Sequence, residues 1–206
     1  MASSPTRSSN SPLKEFSDSP IPDVIYFDTS FIVPTLIKGV KYHQPCNAFI
    51  NRLTKSQPII VMSQLVRSEL WNAVLTIKMR DKFGKRRVDI DDELKKDPSL
   101  IDQVYPDIAR IDQDFFDLMQ RFVYWSMEDV TDLINKNAIS LIKKYRLKSY
   151  DAIHIATMNA LEVKDIAVFD WAIEDIQDLN IWTTGGATRY KKRQIVRNKV
   201  AKRTVV

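Results

Sequence analysis

The chain has 206 residues, 44% of them hydrophobic and 28% charged. That composition suits a soluble globular protein with one core and material to spare for tails and an insertion; no apolar run approaches the roughly 20 residues that cross a bilayer, and the N-terminus carries no apolar segment of the secretory type. The formal net charge of +5 hides an asymmetry, because eight Lys and Arg side chains run from Arg189 to Arg203 with no acid among them, and the rest of the chain is mildly acidic.

Residues 1–21 are rich in Ser, Pro and polar groups, lack apolar periodicity and are expected to be disordered. Val24-Ile25-Tyr26-Phe27 follows, a continuous apolar run that predicts a strand covered on both faces. Asp28 ends it, and Thr29 and Ser30 offer N-cap chemistry for the next helix, which runs through Phe31-Ile32-Val33 into Pro34 in its first turn. A second helix fits Tyr42 to about Thr54 and stops before Gln57-Pro58. The only cysteine, Cys46, lies in it as a small core residue; it excludes an intramolecular disulfide and fits a reducing, cytoplasmic setting.

Ile59-Ile60-Val61-Met62 is the second strand. Ser63 is a candidate cap for a helix with Val66, Leu70, Val74 and Ile77 on one stripe and Glu69 off it. Between about 78 and 102 the composition turns strongly charged, which reads as an exposed insertion, partly loop and partly helix. Helical spacing resumes from Ile108 to Met119. Arg121–Trp125 reads as strand three, Glu128 to about Tyr145 as a helix, and Ser149–Ala160 as another. Asp165–Asp170 is strand four, again ending on an acid; a short helix passes Ile173 and Ile176, and Ile181-Trp182 is a last edge strand. Alternating strands and helices argue for one α/β domain over residues 22–184, built on a mostly parallel sheet. Residues 185–206 form a basic tail, suited to phosphate backbones, to an acidic partner, or equally to keeping the chain solvated.

Four acids stand out by their settings. Asp28 and Asp170 end strands, Glu69 lies about two turns into the helix after strand two, and Asp151 lies in the first turn of its helix. In a parallel sheet, strand ends and following helix starts share one edge, where open α/β sheets bind ligands. Carboxylates gathered there repel one another unless a cation neutralises them, and oxygen-only ligation suits Mg2+ or Mn2+. With His43 and His154 the only histidines, there is no Cys/His zinc cluster, and no Gly-rich phosphate loop occurs. The plainer roles are a helix cap for Asp28 or Asp170, an ion-paired or surface residue for Glu69, and an acid favourable to the helix dipole for Asp151. Asp165, Glu174 and Asp175 are nearby acids able to replace Asp170. His154, one turn past Asp151, reads as a packed residue with one hydrogen bond, and most of the four tryptophans as core or interface.

The motifs Tyr26-Phe27-Asp28-Thr29-Ser30, Ser68-Glu69-Leu70, Tyr150-Asp151-Ala152-Ile153-His154-Ile155-Ala156 and Val168-Phe169-Asp170, in that order over residues 23–183, resemble the PIN-domain nucleases, most closely the VapC-type toxins of toxin–antitoxin pairs. The resemblance implies a three-layer domain with a central sheet flanked by helices and a Mg2+- or Mn2+-dependent endoribonuclease. It implies that Asp28, Glu69, Asp151 and Asp170 are the catalytic, metal-binding acids. Its implied partners are RNA such as tRNA, an antitoxin protein and a second copy of the chain, with no membrane. The charged insertion, the basic tail and the greater length depart from a minimal toxin of this type. They leave room for a stand-alone PIN nuclease or a catalytically silent RNA- or protein-binding subunit.

Overall fold

The computed structural model describes residues 13–83, 89–169, 172, 173, 176 and 179–185. Among these residues, six strands form one sheet: β1 (Leu13–Glu15), β2 (Val24–Phe27), β3 (Ile59–Ser63), β4 (Trp125–Glu128), β5 (Asp165–Ala167) and β6 (Asn180–Thr183). Their order across the sheet is β1-β6-β5-β2-β3-β4, and every neighbouring pair is parallel. Seven α-helices among the described residues flank it: α1 (Thr29–Leu36), α2 (His43–Ser56), α3 (Leu65–Phe83), α4 (Ile90–Lys96), α5 (Leu100–Met119), α6 (Asp132–Tyr145) and α7 (Ser149–Ala160). The expected α/β architecture is thus observed, with a fully parallel sheet among the described residues.

β2 lies inside the sheet between β5 and β3, and Ile25, Tyr26 and Phe27 are completely buried. That burial on both faces is why its sequence is apolar without alternation. Because all strands run the same way, the ends of β2 and β3 and the starts of α1 and α3 meet on one edge. α1 begins directly after Asp28, so Pro34 falls in its second turn, where it removes one main-chain donor near the helix's end.

Several boundaries differ from expectation. β1 forms inside the segment read as disordered. It adds outside β6, so β6 is not the edge. Phe16, just past β1, is buried and stacks on Phe49 at 4.4 Å, while the Arg52 guanidinium donates to the Phe16 carbonyl and, at 2.8 Å, to that of Asp18. Tertiary contacts of this kind leave no periodic signal in a three-residue strand.

The third predicted strand is displaced, from Arg121–Trp125 to Trp125–Glu128. Val123 and Tyr124 are exposed, and the Gln57 side chain serves the backbone there: it accepts from the Val123 N–H at 2.8 Å and donates to the Arg121 carbonyl at 3.1 Å. An apolar run whose polar backbone is satisfied by a side chain looks like a strand in sequence but need not join a ladder. Glu128 therefore ends β4, and α6 starts four residues later, at Asp132, behind the Thr131 cap. β5 stops at Ala167, short of the predicted Asp170. The short helix expected past Asp170 lies largely outside the described residues.

The charged insertion is built mainly from extensions of α3 and α5 with α4 between them. Buried Met79, Leu100 and Val104 form a small apolar cluster of their own there, with Leu75, Phe83 and Ile90 packed on it. A Lys78–Asp107 ion pair at 3.0 Å ties α3 to α5 above that cluster.

Candidate active site

Asp28 occupies the N-cap of α1. Its Oδ2 accepts from the Ser30 N–H at 2.8 Å, and its carbonyl accepts from Phe31 and Ile32. The cap role read as an alternative is real, and it sets the carboxylate's orientation. The Ser30 hydroxyl accepts from the Phe169 N–H at 2.8 Å, fastening the chain after β5 to the start of α1. Thr29, the first residue of α1, turns its hydroxyl across to α3 and donates to Glu69 Oε2.

Glu69 lies in the second turn of α3, and Asp151 in the first turn of α7. With Asp28 they line one cavity of about 330 Å3, walled by Val33, Pro34 and Ala73. Three of the four acids singled out in sequence therefore converge at the carboxyl edge of the sheet. Asp170 lies outside the described residues, as do Glu174 and Asp175. Asp165 sits at the other end of β5, accepting from Trp182 Nε1 at 2.7 Å and Asn180 Nδ2 at 3.1 Å, so it does not stand in for Asp170. Larger clefts, of about 560, 720 and 520 Å3, open elsewhere. None of these gathers the carboxylates, and convergence of charge rather than volume marks the site.

His154 completes the arrangement, and sequence reasoning undervalued it. It is buried as expected, but both ring nitrogens are engaged: Nε2 lies 2.9 Å from Glu69 Oε2, and Nδ1 lies 2.8 Å from the Tyr26 hydroxyl and 3.2 Å from Ser63 Oγ. Nε2 is also 3.8 Å from Asp28 Oδ1, too long for a hydrogen bond but close enough for attraction. Its signal in the sequence was its place one helical turn past Asp151.

The charges are set by competition between burial and partners. Burial pushes the Asp28 carboxyl above its ordinary value, against His154 and the Ser30 donors. Burial also works against the Glu69 carboxylate, but the hydrogen bond and charge of His154 and the Thr29 hydroxyl together hold it below its usual range. Burial alone would neutralise His154; the Glu69 hydrogen bond and the charges of Asp28, Glu69 and Asp151 outweigh it and raise the imidazole. Burial raises Tyr26, which stays a phenol.

Hard carboxylate oxygens are the donor chemistry of Mg2+ or Mn2+. Among the described residues, however, no three candidate ligands are already assembled as a metal site. Also among them, no helix is long and apolar enough to cross a membrane.

A search of curated proteins finds no match. Among solved structures, the chain is similar to the sarcin-ricin-loop-cleaving toxin VapC20 of Mycobacterium tuberculosis, at 17% identity and a TM-score of 0.44 over 71% of this chain and 89% of that one. It is also similar to a toxin–antitoxin complex of Klebsiella pneumoniae, at 14% identity and 0.46 over 75% and 94%. A third similar structure is VapBC2 of Rickettsia felis bound to a promoter DNA fragment, at 12% identity and 0.45 over 78% and 98%. The family model of the PIN domain matches residues 25–179, three-quarters of the chain and all of the acid cavity. This chain belongs to the PIN-domain family.

Proposed function

We propose that the chain is a divalent-metal-dependent endoribonuclease that hydrolyses RNA phosphodiester bonds, serving as the toxin of a VapBC-type pair. The observation that carries the reading is the meeting of Asp28, Glu69 and Asp151 in one cavity at the carboxyl edge of the sheet. Asp28 Oδ2 is held by Ser30, and Glu69 Oε2 by Thr29 and His154. Asp28 Oδ1 and Glu69 Oε1 are left for a cation, with Asp151 beside them and Asp170 the fourth acid of the motif set.

A bound Mg2+ or Mn2+ supplies the charge that activates a water and stabilises the departing oxygen. The chain's own part is to hold its acids fixed before substrate arrives, so that little reorganisation remains at the moment of reaction. A carboxylate not engaged with the cation orients the attacking water and takes its proton. The basic tail follows β6, which ends at Thr183 on the same edge as Asp28, and its cations attract the phosphate backbone. The motif resemblance supports tRNA as a first substrate to try, an antitoxin as the silencing partner and a homodimer as the working form.

A second reading is a silent RNA- or protein-binding subunit. It is favoured by the contact of His154 with Glu69 and Asp28, which offsets part of the negative charge a cation needs.

The test is cleavage of total cellular RNA by purified protein with Mn2+, with chelator, and by D151N. Cuts confined to the unmodified protein with metal establish the nuclease. Equal cutting by D151N removes Asp151 from the site. No cutting on total RNA, purified tRNA or ribosomal RNA favours the silent subunit.

A further inference from the structure

Behind the acid cavity runs a buried chain of hydrogen bonds drawn from four elements. The Ser63 N–H, at the end of β3, donates to the Tyr26 hydroxyl of β2 at 2.9 Å. Tyr26 pairs with Val61 across the strands, so its ring reaches two residues further along β3 to meet that amide. The hydroxyl lies 2.8 Å from His154 Nδ1 on α7, and His154 Nε2 lies 2.9 Å from Glu69 Oε2 on α3.

Chemistry sets the direction of the two end bonds. A main-chain N–H can only donate, so the Tyr26 oxygen accepts from Ser63, and the hydroxyl pairs with Nδ1 in the direction that the imidazole's protonation sets. A carboxylate can only accept, so Nε2 carries a proton and donates to Glu69. Thr29 donates to the same Glu69 oxygen. With both donors on Oε2, the plane of the Glu69 carboxylate is set from two sides.

We propose that His154 and Tyr26 are positioning residues that aim Glu69 at the cation, in a chain rooted in the Ser63 amide. The proposal rests on the reading of Glu69 and Asp28 as cation ligands. Packing alone explains less. A buried histidine needs a partner for each polar nitrogen, but nothing in packing requires one of them to be a candidate ligand. A phenylalanine would fill the space of Tyr26 without its hydroxyl. Groups that orient a ligand from behind commonly change metal affinity by about tenfold or more when removed.

The experiment is calorimetric Mn2+ titration of the full-length protein, with circular dichroism and thermal melts of every variant. Two comparisons keep charge constant. H154Q and H154L both lack an ionisable ring, but the glutamine amide still donates toward Glu69. Y26F retains His154 and its 3.2 Å contact with Ser63 Oγ and loses only the Tyr26 hydroxyl. The expected result is Mn2+ binding about tenfold tighter in H154Q than in H154L, and severalfold weaker in Y26F than in the unmodified chain, with all folded. Equal affinities within both pairs would overturn the positioning role while leaving the cation site standing. If H154L does not fold, Y26F against the unmodified chain decides alone. Absence of Mn2+ binding in the unmodified chain overturns the cation-ligand reading, and this proposal with it.

Discussion

Arg67 grips Asp112 through both carboxylate oxygens, Nε to Oδ1 at 2.7 Å and an outer nitrogen to Oδ2 at 2.6 Å. The guanidinium also lies against the rings of Trp71 and Phe116, and Trp71 Nε1 donates to Asp112 at 2.8 Å. With the Lys78–Asp107 pair, this forms the polar link between α3, which carries Glu69, and α5. The Arg67 hydrogen bond is the first cause holding the Asp112 carboxyl below its ordinary value, with Trp71 and the guanidinium charge assisting against burial.

A depressed carboxyl contributes stability that is complete above its unfolded value and is lost as pH falls through its folded one. D112N is therefore expected to cost about 1 kcal/mol at pH 7, the modest figure reflecting a partly exposed pair. The gap between the two proteins should close as pH falls below the ordinary carboxylate range. Urea melts of both across pH 7 to 3 check it; a gap that does not narrow removes the ion pair as its cause.

Asp28 behaves in the opposite sense. Its raised carboxyl means that the folded state holds a proton the unfolded state has released, so stability falls as pH rises through that window. D28N keeps the cap to Ser30 and removes the buried charge. In chelator it should melt at or above the temperature of the unmodified chain while losing RNA cleavage by at least about a hundredfold, the scale of removing a principal transition-state contact. D28A should lose cleavage and also about 1 kcal/mol of stability, because its cap is gone. Parallel melts and cleavage assays separate the two effects.

Phe16 should matter as a core residue although it follows a three-residue strand. Its stacking on Phe49 and edge contacts with Phe31 and Phe169 place it within the main core. F16A is expected to cost about 3 kcal/mol in urea unfolding, in the range of buried Phe→Ala changes. A loss below about 1 kcal/mol would show that β1 is an ornament rather than part of the sheet's stability.

Removal of residues 186–206 should weaken RNA binding and flatten its dependence on salt. Each phosphate left without its cation reduces the steepness of log K against log salt by about 0.7 on a single strand. Binding measured from about 50 to 200 mM salt checks this. An unchanged slope would assign the tail's cations to something other than RNA.

How much of this was legible depends on where the information lies. β2 could be read because a central strand buried on both faces must be continuously apolar, and α3 because its buried stripe repeats at helical spacing. Asp28, Glu69 and Asp151 could be read because strand ends and helix starts share an edge in a parallel sheet. β1 could not, since its stability comes from β6 and α2 rather than from its own residues. β4 was misplaced because Phe122, Val123 and Tyr124 imitate a strand, while in the fold the Phe122 N–H turns back to Met119 and the Val123 N–H goes to Gln57. The link through Tyr26 joins residues 37 and 128 positions apart, a relation invisible until the chain is folded.

The parallel pairing of β1 with β6 has a practical consequence for handling the protein. Leu13 enters the sheet at its amino edge beside Ile181, whereas the chain leaves β6 at the carboxyl edge, where the Gly185 N–H donates to Glu15 at 3.0 Å. An affinity tag or fluorescent fusion placed before residue 13 is therefore tethered on the side of the sheet away from the acids. The same cargo joined directly at Gly185 leaves instead from the edge that carries the acids.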